Sequence, residues 1–177
     1  MYAITLAAAA IIWPFIVALF ANKYGADVGA RFLERGGNIP STGQPLDHAS
    51  LEVWLRLPAN GLFLRPYAYL IMPLDLIYAC FVGGFLVCGA LWLSAALTWP
   101  EPLSYFRSVL VCVLPAIYIL SDVVEDMLIM RILPRQDVSE VAFAVMRTAT
   151  KIKVASFGAA VLQIVALGIY AVFTSAA

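Results

Sequence analysis

The sequence predicts an all-α, polytopic membrane protein with four transmembrane helices, and three observations carry that prediction. Of the 177 residues, 63% are hydrophobic and only 12% charged, against about 45–50% and about 25% in soluble domains. Mean hydropathy is +0.92. The charge-poor stretches approach the ~20 residues that a helix needs to cross a ~30 Å hydrocarbon core. Eleven basic and eleven acidic side chains balance to zero, which excludes the basic footprint of a nucleic-acid binder.

The spans follow in order. The first covers about residues 4–21, from Ile4 to Ala21. It has no basic flank before it and is long for the apolar part of a signal peptide, so a retained span is expected. The second covers about 67–97 and carries no charge after Asp75. The third covers about 105–133, between Arg107 and Arg131. The fourth covers about 139–175; it opens as a polar helix near Ser139 and is uncharged from Val154 onward. Pro134 predicts the end of the third helix, and Asp137 with Glu140 reads as the cap that opens the fourth. Pro14, Pro73 and Pro115 predict kinks. The chain shows neither an internal repeat nor a second domain.

Basic residues set the expected orientation. Lys23, Arg31, Arg35, Arg56 and Arg65 follow the first span, while Arg131, Arg135, Arg147, Lys151 and Lys153 surround the third connection. Only Arg107 lies between spans two and three. Positive residues favour the cytoplasmic side, so both termini are expected outside, with residues 22–64 forming one long cytoplasmic segment. Trp99 and Tyr105 then anchor the outer interface. Within the long segment, Pro40 to Pro45 reads as a loop. Ser50 to Leu57 places Leu51, Trp54 and Leu55 on one helical face. Two readings fit it equally: a short helix in the membrane interface ended by Pro58, or a loop that packs Trp54 onto the bundle.

Several chemistries are excluded by residue type. Cys80, Cys88 and Cys112 all lie in apolar stretches without a C-x-x-C pair, so they read as small buried hydrophobes and not as a thiol-oxidising site. The lone His48 cannot supply bis-histidine haem ligation, and no Cys/His set suits structural zinc. No cofactor is indicated.

The informative charges are Asp122, Glu125 and Asp126 in the third span. At ~1.5 Å per residue, Asp122 lies roughly 22 Å from Arg107 and roughly 13 Å from Arg131. That depth is inside the membrane, nearer the cytoplasmic face. Spacings of three and four put the three acids on one face, with Tyr118 one turn away. Each such group costs at least ~2.5 kcal/mol to insert and normally faces the bundle interior or water. Folding the hairpin about residues 135–136 predicts Arg147 beside Glu125 and Lys151 beside Asp122, with Lys153 pointing away toward the headgroups. Asp75 lies at a similar depth. One polar cluster is therefore expected from Asp75, Asp122, Glu125, Asp126, Arg147 and Lys151, with Tyr78 and Tyr118 as neighbours. The cluster reads either as a device that pins helices two, three and four in one register, or as a proton or cation site or a catalytic site. Its four carboxylates exceed its two cations, and a proton, a divalent ion or a cationic partner could meet the surplus. No D-x-x-D run typical of phospholipid-headgroup transferases is present. Ala79, Cys80, Gly83 and Gly84 form small-x-x-x-small pairs that permit close helix contact.

The runs Pro73-Leu-Asp-Leu-Ile-Tyr78, Asp122-Val-Val-Glu-Asp126 and Thr148-Ala-Thr-Lys-Ile-Lys153 resemble an uncharacterised group of small bacterial four-helix integral membrane proteins. In that group the second span opens with P-L-D-L-x-[FY], the third carries D-x-x-E-[ND], and a T-x-x-K-x-K-like segment precedes the fourth. The resemblance covers about residues 65–175 and implies the topology, the polar cluster and a multi-pass place in a bacterial inner membrane. It implies no chemistry. Asp126 stands where asparagine is more usual. The expected function is an accessory or scaffold component that binds membrane lipids or a protein partner through its bundle. The opposing class is an enzyme or a proton- or cation-coupled carrier built on the carboxylates.

Overall fold

The computed structural model describes residues 2–24, 47–58 and 61–175. Arg31, Arg35 and the loop read at Pro40 to Pro45 lie outside the described residues. Every regular element among those described is helical: α1 (Tyr2–Tyr24), α2 (His48–Leu55), α3 (Gly61–Ala95), α4 (Leu103–Arg135) and α5 (Glu140–Ser175). Among these residues, α3, α4 and α5 are long and apolar enough to cross a membrane, and α1 contains a shorter apolar stretch, Thr5–Phe20.

α3 begins six residues before the expected start of the second span. Its first part passes through a π-helical turn at Tyr67–Ile71, closed by the Met72 N–H on the Tyr67 carbonyl. Pro73 explains the widening. It lacks an N–H, and its ring crowds the carbonyl four residues back, so the backbone loosens just before it instead of breaking.

The α4–α5 turn departs from the expected geometry. α4 runs through Pro134 and stops at Gln136, whose φ of 52° is left-handed. The Gln136 N–H closes the last turn on the carbonyls of Ile132 and Leu133 at 2.9 and 3.3 Å. The cap of α5 is Ser139, whose Oγ accepts from the Ala142 N–H at 3.2 Å. It is not Asp137. An N-cap hydroxyl receiving the N3 amide is a favoured helix start, and here it lies two residues beyond the expected one.

Packing is most extensive between α5 and α4, then between α4 and α3, with α1 laid against α3. Gly83 permits the α3–α4 approach, since a Cβ there would overlap the Ile119 side chain. Buried Ala79 shares this contact face. Gly84 instead faces Leu6 of α1. Trp13 on α1 donates its indole N–H to the Leu74 carbonyl at 2.8 Å and meets Phe81 edge-on. Gln163 on α5 donates to the Val111 carbonyl of α4 at 3.0 Å. The cysteines do not form part of the core: Cys80 is exposed, and Cys88 and Cys112 are half-buried. Only Cys80 turns outward; Cys88 of α3 and Cys112 of α4 lie near each other.

α2 takes its helix from one reading of the segment and its packing from the other. It is a helix, opened by a capping box in which Ser50 N–H donates to Asp47 Oδ1 at 2.7 Å and Asp47 N–H to Ser50 Oγ at 3.2 Å. Its apolar face nonetheless packs onto the bundle. Leu51, Trp54 and Leu55 share one core with Tyr67, Ile71, Met72, Ile129, Leu133 and Met146. His48 fastens it at the other side: Nε2 lies 2.7 Å from the Val138 carbonyl in the α4–α5 turn, and the ring meets Phe143 edge-on. A second core, Val82, Leu86, Tyr118 and Ala160, lies further along α3, α4 and α5.

Candidate functional site

Three helices converge between these two cores. α3 supplies Asp75 and Tyr78. α4 supplies Tyr118, Asp122, Glu125 and Asp126, all buried. α5 supplies Thr150 and Lys153. The acids of α4 fall on the inward face because their spacings of three and four match the helical period.

The Lys153 ammonium lies 2.8 Å from Asp122 Oδ1 and also contacts Glu125 Oε2. The other Glu125 oxygen accepts from the Thr150 hydroxyl at 2.6 Å. That hydroxyl also lies 3.0 Å from the Met146 carbonyl, so its single proton is shared. Glu125, fully buried, is thus engaged at both oxygens. Asp126 is 1% exposed, and among the described residues no donor reaches its Oδ2. Nor does any hydrogen bond or ion pair among them reach Asp75. Oxygens of Asp75, Asp122 and Asp126 all lie within 4.8 Å of one another.

The charge balance is one-sided. Asp75, Asp122, Glu125 and Asp126 face the single Lys153 ammonium. At ~5 Å and an effective dielectric of ~20, each pair of ionised carboxylates repels by about 3 kcal/mol. Three such pairs in the triad sum to about 10 kcal/mol, as large as the stability of a whole domain. A proton or a cation among these oxygens would relieve that repulsion. Carboxylate oxygens are also the donor set of a hard divalent cation, and three of them converge here.

A pocket of about 290 Å³ opens beside the triad. Asp75, Tyr78, Tyr118, Asp122 and Lys153 form its polar wall; Val82, Val154 and Phe157 form its apolar one. The rings of Tyr118 and Phe157 stand 5.6 Å apart at 49°.

Asp75, Tyr78, Tyr118, Asp122, Glu125 and Asp126 thus lie together, as their depth and spacing predict. The two expected cations do not join them. Lys151 is exposed and Arg147 half-buried, and among the described residues neither forms an ion pair with the cluster. Lys153, expected to point away, takes the place of both. Lys151 and Lys153 stand roughly 200° apart around α5, so the face that brings Lys153 and Thr150 inward carries Lys151 out. Thr150, Val82, Val154 and Phe157 are also absent from the sequence-based set. Lys153 carried a usable signal, being the last charge before the uncharged run from Val154. It borders the apolar run more closely than any other cation of α5, where a charge most needs a partner.

Comparison with known protein families, with curated proteins and with solved structures gave no match.

Proposed function

We propose that this protein is a small multi-pass membrane protein that binds and exchanges a cation, a proton or a divalent metal ion, at Asp75, Asp122 and Asp126, in the manner of an ion-coupled carrier. The observation that carries the reading is Asp126 Oδ2, a buried carboxylate oxygen with no donor among the described residues, 4.8 Å or less from two further carboxylates. Buried acceptors normally have partners, and an orphan beside two like charges is costly unless a cation serves it. Lys153 holds Asp122 and Glu125 in place and offsets part of their charge, which leaves Asp75 and Asp126 to the exchanging ion.

In this reading α1 is the first of four spans, both termini face outward, and the protein resides in a bacterial inner membrane. The basic residues near the α4–α5 turn then place the triad in the cytoplasmic half of the bilayer. A second reading, an accessory subunit that binds lipid or a protein partner, draws support from α5. Leu162, Val165, Ile169 and Phe173 of α5 are at least half exposed, a face suited to lipid or to another helix.

The test is thermal unfolding of the detergent-solubilised protein with and without Mg2+, Ca2+ or Mn2+, and from roughly pH 5 to 8. A ligand at 100 times its Kd adds about 2.7 kcal/mol. The wild type should respond to one metal or to pH, and Asp126→Asn should remove that response. A wild type indifferent to both would refute the ion site and leave the accessory reading.

A further inference from the structure

We propose that the pocket beside the triad binds a small organic ammonium ion, with its charged nitrogen against Asp75 and its apolar body against Phe157, Val154 and Val82. This deepens the cation-site reading and rests on Asp75 being open to a cation.

The walls of the pocket argue for an organic ligand. A metal ion needs oxygen donors on several sides, and a proton needs no space at all. Here, behind Asp75, lies a pocket of about 290 Å³, with Val82, Val154 and Phe157 along one side. Carbon surface of that kind rewards the burial of carbon and offers nothing to a hydrated ion. The volume is near the lower end of small-molecule pockets, which begin at about 300 Å³, so the ligand is small.

The polar side argues for positive charge. Of the two acids in the wall, Asp122 is engaged by Lys153 at 2.8 Å, whereas Asp75 has no hydrogen bond or ion pair among the described residues. Asp75 is only partly buried, so it can be reached. Tyr78, Tyr118 and Phe157 add three aromatic rings to the lining of the same pocket. Ring faces attract an ammonium group and accept its alkyl substituents as well, a combination found where organic cations are recognised. Lys153 does not oppose this, because its charge is already matched by Asp122 and Glu125. The neighbouring Asp126 leaves the local balance negative. Val154 is 64% exposed and Phe157 41%, so the pocket is reached from the outer face of α5. A lipophilic amine dissolved in the bilayer would meet it there.

Isothermal titration of the full-length protein in mild detergent tests the proposal, with benzyltrimethylammonium and benzylamine as probes. Neopentylbenzene, the uncharged carbon isostere of the first, is the control. One ammonium probe should bind saturably at one site per chain, and neopentylbenzene should not. Phe157→Ala, at a part-exposed position outside the cation triad, should weaken binding roughly threefold or more while the metal or pH response of the melting temperature persists. Asp75→Asn should weaken it roughly tenfold or more; if that variant fails to fold, Phe157→Ala alone decides. Failure of both probes on a wild type that still responds to metal or pH would overturn the organic ligand and leave the ion site standing. Equal binding of neopentylbenzene, or binding unchanged in Phe157→Ala, would also overturn it, since each indicates partition into apolar surface. A wild type that binds a probe but ignores metal and pH would retain the ammonium site and remove the inorganic one.

Discussion

Lys153 of α5 and Asp122 of α4 meet at 2.8 Å in the interior of the helix bundle, and the same ammonium contacts Glu125 one turn along. Two residues before it, Lys151 stands exposed. One lysine therefore serves two buried carboxylates while its neighbour serves none.

Removing the partner of buried charges costs about 3–5 kcal/mol, chiefly because the remaining charge is stranded. Lys153→Ala should lower the thermal stability of the solubilised protein by that order, and Lys151→Ala should barely change it. Adding Asp122→Asn to Lys153→Ala should restore part of the loss. Equal effects of the two lysine substitutions would contradict the helix faces described.

Thr150 gives Glu125 its other contact. Thr150→Val keeps the shape but withdraws the donor, which should cost about 1–3 kcal/mol because the carboxylate is fully buried. Thr150→Ser should retain most of the stability. If valine and serine behave alike in thermal unfolding, the hydroxyl contributes nothing to holding Glu125.

Close packing of α3 on α4 depends on Gly83. Gly83→Ala forces a methyl into Ile119, and overpacking of this kind costs about 1–3 kcal/mol. Gly84→Ala meets Leu6 only at ordinary contact, 3.5 Å, and should be tolerated. Ile119→Ala should relieve the alanine at position 83 when the two are combined, as a double-mutant cycle would show.

Asp47 makes α2 sensitive to acid. Its carboxylate is held below the ordinary range by the Ser50 backbone N–H first, then by the Ser50 side chain. A lowered value in the folded state means that the cap supports the helix above the unfolded value of about 3.9. The support is lost as pH falls through the lowered one. Helicity of residues 48–55, followed by NMR shifts, should decrease below about pH 4. Asp47→Asn caps without titrating and should flatten that decrease; an unchanged acid transition in this variant would assign it to another group.

Orientation has its own test. A reporter fused after Ala177 should behave as extracytoplasmic, as the distribution of basic residues predicts. Cytoplasmic activity of the fusion would move the triad to the opposite half of the bilayer.

Composition and period alone determined that this chain is helical, that its long helices are apolar enough for a membrane, and that Asp122, Glu125 and Asp126 share one helical face. Those properties are local: each depends on residues within a turn or two of helix. The identity of the positive partner was decided only by tertiary structure. It turns on which face of α5 packs against α4, and Lys151 and Lys153, two residues apart, lie on nearly opposite faces. Helical faces repeat every 3.6 residues, so a shift of two exchanges inside for outside over the whole of α5. The inward face of α5 also brings Thr150 to Glu125 and Phe157 to Tyr118, and among the described residues it gives neither Asp126 nor Asp75 an ion pair. The packing of α5 on α4 therefore settles which carboxylates are paired and which remain open to a ligand.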